Sequence, residues 1–151
     1  MLVKNVFEKK QRKIITASPH TSIDEAMELL IENGIGCLPI IDEDGKPVGI
    51  ISDSDIFKKV YETKGNYHDL EVDDLMSKNL IVGLLDDDIT YISGIMKKNY
   101  IRHVPIVEEE KLVGLISLRD ILEYQTQNIE IENRYLHLYS NGLHKRDRSS
   151  D

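Results

Sequence analysis

Apolar positions along the chain fall into short blocks separated by turn residues and charges. Ile14-Ile15 and Leu80-Ile81-Val82 read as two short strands. After the first, Ile23, Met27, Leu30 and Ile31 recur at helical spacing, behind the capping box Ser22-x-x-Glu25 and ahead of the stop Asn33-Gly34. After the second, Asp88 caps a stripe of Ile89, Ile92, Ile95 and Met96. Each helix is followed by a hairpin pattern. The first joins Leu38-Pro39-Ile40-Ile41 to Val48-Gly49-Ile50-Ile51 through Asp42-Glu43-Asp44-Gly45. The second joins Val104-Pro105-Ile106-Val107 to Leu112-Val113-Gly114-Leu115-Ile116 through Glu108 to Lys111. A further helix begins near Ser52 and near Ser117. The predicted order is β-α-β-β-α, twice, with a charged connector between that holds one helical turn near Asp73-Asp74-Leu75-Met76.

The two halves match residue by residue, 14–57 against 80–122. Ile23 aligns with Ile89 and Pro39 with Pro105 at an offset of 66, and Gly49-Ile50-Ile51-Ser52 with Gly114-Leu115-Ile116-Ser117 at 65. The slip falls at the hairpin turn. One repeat is too short to fold well alone, so the two are expected to pack together with pseudo-twofold symmetry. This predicts an α/β (α+β) fold with two equivalent clefts between the repeats. The expected segments are 1–63 (first repeat with an N-terminal segment), 64–79 (connector), 80–127 (second repeat) and 128–151 (a helical tail).

Composition narrows the function. In 151 residues, 40% are hydrophobic and 9 more are glycine, a globular balance. No apolar run reaches membrane-helix length, and charge enters the N-terminus too early for a signal peptide. With a single cysteine no internal disulfide is available, and a cytoplasmic location is expected. Nineteen basic against 27 acidic residues leave −8, which argues against nucleic acid or an anionic membrane as partner. The five histidines lack metal-ligand spacing, and no Walker or nucleophile-elbow motif is present. Asp42-Glu43-Asp44-Gly45 resembles the start of a calcium loop, but Pro47 and Asp53 stand at the sixth and twelfth positions, so it reads as a turn.

Gly-apolar-x-Ser-x-x-Asp occurs twice, as Gly49-Ile50-Ile51-Ser52-Asp53-Ser54-Asp55 and Gly114-Leu115-Ile116-Ser117-Leu118-Arg119-Asp120. Cys37-Leu38-Pro39-Ile40 and His103-Val104-Pro105-Ile106 precede them, and Val72-Asp73-Asp74-Leu75-Met76-Ser77 lies between. With these residues the chain resembles paired cystathionine β-synthase (CBS) domains, the Bateman module, over about residues 3–125. The resemblance implies clefts for an adenine nucleotide, with Asp55 and Asp120 accepting from ribose hydroxyls and Ser52, Ser54, Ser117 and Arg119 near the phosphate. It places adenine among Thr16, Ile35, Gly36 and Cys37 in one repeat, and Val82, Ile101, Arg102 and His103 in the other. Gly36 lets a purine approach the backbone closely. Residue chemistry leaves alternatives open. Ser52 with Asp55 is equally a helix capping box, Ile35 and Ile101 equally core, Arg102 equally a surface charge, and Cys37 a small buried residue.

Arg102-His103 faces an uncharged Gly36-Cys37 in the other repeat. In related modules such basic residues reach across to phosphates held at the other repeat, so the clamp is expected at the Asp55 cleft and absent from the Asp120 cleft. The tail carries Leu122, Ile129, Leu136 and Leu143 every seven residues, flanked by Tyr135 and Tyr139. It reads as a continued helix, with a seam for a second chain or for its own module. The expectation is a non-enzymatic regulatory module needing no cofactor. It binds AMP, ADP or ATP before NAD(H) or S-adenosylmethionine, forms a homodimer and reports energy or redox state to a partner protein. The alternative is an interaction module with vestigial clefts.

Overall fold

The computed structural model describes residues 1–10 and 13–132, with side chains as far as residue 126. The elements are α1 (Val3–Lys10), α2 (Ile23–Asn33), β1 (Cys37–Ile41), β2 (Pro47–Ser52), α3 (Asp53–Glu62), α4 (Val72–Leu75), β3 (Gly83–Leu84), α5 (Ile89–Asn99), β4 (His103–Glu108), β5 (Lys111–Ser117) and α6 (Leu118–Glu132). The repeated α+β architecture stands as expected. β1 pairs antiparallel with β2 and β4 with β5 in one shared register, Cys37 opposite Ser52 and His103 opposite Ser117.

The hairpin turns differ in chemistry. Asp42 accepts from the Asp44 and Lys46 amides, and Gly45 takes φ 82°, so the calcium-like run is a turn. In the second hairpin Glu109 and Glu110 both have positive φ, 51° and 66°, as a two-residue turn matched to strand twist requires. The first strand of each repeat is shorter and later than the apolar runs suggest. Ile14-Ile15 is not a strand; Ala17 alone bridges to Ile40. Leu80-Ile81-Val82 gives way to β3, whose Gly83 pairs parallel with Ile106. The upstream residues lie outside the paired stretch, and Ile14 and Ile15 form part of a cleft wall.

Helix ends follow the sequence signals. The Ser22 hydroxyl accepts from the Glu25 amide, although the reciprocal Glu25 side-chain bond is not formed, and Gly34 closes α2 at φ 60°. Tyr100 adopts the same left-handed cap for α5 at φ 55°. Ser22→Ala is expected to lower stability by about 0.5–2 kcal/mol, seen as a lower urea midpoint at unchanged slope. Buried faces are narrower than the stripes. Ile23, Ala26 and Leu30 are buried in α2, whereas Ile31 is 79% exposed; in α5, Ile89, Ile92 and Met96 are buried.

Two apolar clusters form, one per repeat, centred on Leu38, Ile40 and Ile51 and on Val104, Ile106 and Ile116. Each fully buried aliphatic side chain contributes roughly 1.5–3 kcal/mol. Although α1 precedes the first repeat, its Val3 and Val6 are buried in the second repeat's cluster, with Phe7 against it. The connector helix α4 does the same for the first repeat through Val72 and Met76. Backbone bonds fix the first exchange: Val3 N–H donates to Asp87 O (2.9 Å) and Lys4 N–H to Leu85 O (3.0 Å). The end of α1 thereby comes to rest beside β5 and α6.

Candidate functional site

At each junction from the last strand to the last helix, Ser and Asp form a reciprocal cap. Ser52 N–H donates to Asp55 Oδ2 (2.9 Å) and Asp55 N–H to Ser52 Oγ (3.2 Å). Ser117 N–H donates to Asp120 Oδ2 (2.8 Å) and Asp120 N–H to Ser117 Oγ (3.0 Å). Capping is therefore what these residues do in the free protein. It uses one carboxylate oxygen; Oδ1 of either aspartate accepts nothing from the described residues. A carboxylate with a free oxygen suits a donor-rich ligand, because it offers acceptors only.

A cleft of about 770 Å³ opens at the second of these junctions, within the size of small-molecule sites. Among the expected residues it collects Ser117, Arg119 and Asp120, the pair Arg102 and His103, and Ile35, Gly36 and Cys37 from the first repeat. Thr16, Ser52, Ser54, Asp55, Val82 and Ile101 do not line it. Val82 is exposed and Ile101 packs against the second core, while Ile35 both packs on the first core and walls the cleft. Arg102 and His103 were expected to serve the Asp55 cleft. Instead they stand in the Asp120 cleft, because strand register seats His103 opposite Ser117 and Leu118 N–H donates to Arg102 O (2.8 Å).

Burial pushes the His103 imidazole below its ordinary 6.5, with Asp120 opposing and Lys10 reinforcing that shift. It is therefore neutral at pH 7 in the free protein and acts there as a hydrogen-bonding group. A depressed histidine stabilises the fold while neutral. Its contribution is full above the unfolded value near 6.5 and declines as pH falls below it, because the unfolded chain takes the proton first. His103→Gln should flatten the fall in melting temperature between pH 7.5 and 5.5; an unchanged profile refutes the assignment. Cys37 is buried, and desolvation, aided by Asp55 and Asp53, pushes its thiol up to about 12, so it packs and does not attack.

The sequence alone pairs these features with known proteins. The family model described as CBS domain matches residues 3–62 and 72–126. The chain belongs to the CBS-domain family. It is 36% identical, over 80% of its length, to L-aspartate semialdehyde sulfurtransferase of Methanocaldococcus jannaschii, but spans only 22% of that protein. It likewise spans 62% and 30% of two further curated relatives. A CBS-domain protein of Agrobacterium tumefaciens superposes with TM-score 0.78 at 30% identity, covering 83% of this chain and 99% of that one. The CBS domain pair of protein MJ0100, in complex with 5′-methylthioadenosine and S-adenosyl-L-methionine, gives 0.74 at 32% identity, covering 85% and 98%.

The two CBS repeats differ in charge around their helix starts. Asp53 in repeat one stands where repeat two has Leu118, and its carboxylate lies 3.3 Å from the position a Cβ on Gly36 would take. The second CBS repeat instead gathers Arg102, Arg119, Lys10 and Lys13 around its cleft. Lys10 and Lys13 escaped the sequence reading, as did Phe7. A local signal existed: Val3, Val6 and Phe7 carry the same spacing as Val72, Leu75 and Met76. The Lys10 ammonium donates to Asp120 Oδ2 (2.6 Å) and to Leu115 O (3.0 Å), bonds that span more than a hundred residues of sequence. Burial pushes the Asp120 carboxyl up, but Lys10 and the Ser117 donors outweigh it and hold it below the ordinary carboxylate value.

Proposed function

We propose that this CBS pair is a non-enzymatic regulatory module whose principal ligand is an anionic adenosine compound, AMP or another adenine nucleotide, bound in the Asp120 cleft. The observation that carries this reading is that Arg102 and Arg119 line the same cleft as Asp120 at a helix start, where Arg119 pairs with Glu123 (3.1 Å) in the free protein. A carboxylate acceptor matches a ribose diol, and guanidinium forks match phosphate oxygens. Gly36 and Ile35 supply a close apolar wall for a purine. The MJ0100 relative, which binds two adenosine derivatives, supports the adenosine part. The Asp55 cleft, with Ser52 and Ser54, is read as a second ribose site for a ligand without phosphate. Ligand occupancy would report energy state to a partner protein.

The test is a thermal-shift and calorimetric panel of AMP, ADP, ATP, NAD, S-adenosylmethionine, 5′-methylthioadenosine and adenosine. A ligand that binds only the folded state raises the melting point. AMP or ADP should give the largest shift. The phosphate reading fails if S-adenosylmethionine or 5′-methylthioadenosine leads, and the nucleotide reading fails if none binds. A second reading, an interaction module, is favoured by exposed apolar side chains on the helices. Ile31 and Phe57 are both 79% exposed and Tyr61 82%. A homodimer covering them is expected by light scattering at tens of micromolar; a monomer there removes this reading. The expected heptad positions at 129, 136 and 143, with Tyr135 and Tyr139, lie outside the residues whose side chains are described, while α6 itself continues to Glu132.

A further inference from the structure

We infer that Lys10 is a specificity-determining residue of the Asp120 cleft, a tethered cation that holds the ribose acceptor in the empty state and moves onto the ligand's anionic group when a nucleotide enters. This rests on the adenosine reading of that cleft. Three observations carry it. The Lys10 ammonium lies 2.6 Å from Asp120 Oδ2, where a ribose hydroxyl would otherwise donate. Asp120 is 8% exposed, so its carboxylate needs donors in both states, the ammonium in the empty cleft and the ribose hydroxyls in the filled one. Lys10 is contributed by α1, which lies outside the Gly-x-x-Ser-x-x-Asp motif and is anchored separately by Val3, Val6 and Phe7. Among the described residues no cation bonds Asp55 in this way, its hydrogen bonds coming only from its own Ser52.

The consequence is an exchange of partners. A ribose diol that engages both carboxylate oxygens takes the free Asp120 Oδ1 and must displace the ammonium from Oδ2; the flexible stem keeps that ammonium within the cleft. If the ligand carries a phosphate, the displaced ammonium finds a new anion and little is lost. If the ligand is uncharged, the ion pair is broken without replacement. Lys10 thus discriminates against adenosine more than it favours AMP, and does so without touching the base.

Calorimetry of AMP and adenosine against wild type, Lys10→Met and Lys10→Arg tests this. Methionine keeps the apolar stem, and arginine restores the charge. Lys10→Met should bind adenosine about tenfold more tightly and reduce the preference for AMP over adenosine by at least as much, with Lys10→Arg retaining the wild-type ratio. Asp120→Asn serves as the control that the affinity comes from this cleft. If wild type binds AMP and Lys10→Met leaves the ratio unchanged, the exchange is overturned while the nucleotide reading stands. If Lys10→Met weakens both ligands equally, Lys10 is merely structural and the inference fails. If neither ligand binds any of the folded proteins, the nucleotide reading fails and takes this inference with it.

Discussion

Asp120→Asn is expected to reduce AMP affinity by roughly 10- to 100-fold for each charge-assisted hydrogen bond weakened, while Asp55→Asn should change it far less. Asparagine is the informative replacement. It keeps the shape of the side chain and an oxygen that can accept from Ser117 N–H, so the cap at the start of α6 persists. What it removes is the negative charge that the ribose hydroxyls and Lys10 share. Asp120→Ala removes the carboxylate half of the reciprocal cap as well and leaves the Lys10 ammonium, paired at 2.6 Å in wild type, without its anion. Alanine should therefore lose stability and binding together, whereas asparagine separates them. The contrast with Asp55 follows from the cations: Arg102, Arg119 and Lys10 line the Asp120 cleft, whereas the described hydrogen bonds to Asp55 come only from Ser52. Equal losses at Asp55→Asn and Asp120→Asn, by calorimetry in the same buffer, would falsify the unequal-cleft reading.

What was legible in the sequence was whatever local chemistry decides. Gly34 ends α2 because it alone relaxes into φ 60° without strain, and Ser22, Ser52, Asp88 and Ser117 sit at helix starts because their oxygens take orphan amides. The hairpins follow from alternating apolar residues around turn residues. Tyr100 shows the limit of such signals, since a tyrosine takes the position that Gly34 holds in the other repeat, and only the repeat alignment locates that helix end. The strand at Ile14-Ile15 misled because an apolar pair is equally suited to a cleft wall. Arg102 and His103 share a cleft with Asp120 because the β4–β5 hairpin, itself readable from the apolar pattern, sets His103 opposite Ser117. The packing of α1 had a local sign in the Val3, Val6 and Phe7 spacing, but the ion pair of Lys10 had none, because its partner is 110 residues away. The site is thus half readable: its acceptors are motif residues, and its cations arrive by tertiary packing.

That packing supplies the other large expected effect. Gly114→Val should destabilise the protein by roughly 1–3 kcal/mol and disturb the cleft at the same time. Gly114 is buried in β5, and a Cβ placed on it would run into the Phe7 ring of α1. Phe7 lies over the strand because glycine leaves room for it, just as Met76 of the connector lies over Gly49 in the first repeat. A valine has to displace the ring, and the interior cannot absorb the added methyl groups without moving side chains or backbone. The ring belongs to the same short helix as Val3, Val6 and Lys10, so the strain is passed along α1 to its C-terminal turn. Lys10 then loses its seat on Leu115 O and Asp120 Oδ2. The expected signature is a lower urea midpoint together with a reduced preference for AMP over adenosine. Gly49→Val, which crowds Met76 on the first repeat, should lower the midpoint and leave that preference intact, since no lysine of the connector reaches Asp55 among the described residues. Should both variants alter stability while neither alters ligand preference, α1 would be holding the core alone and the link from Phe7 to the cleft would be discarded.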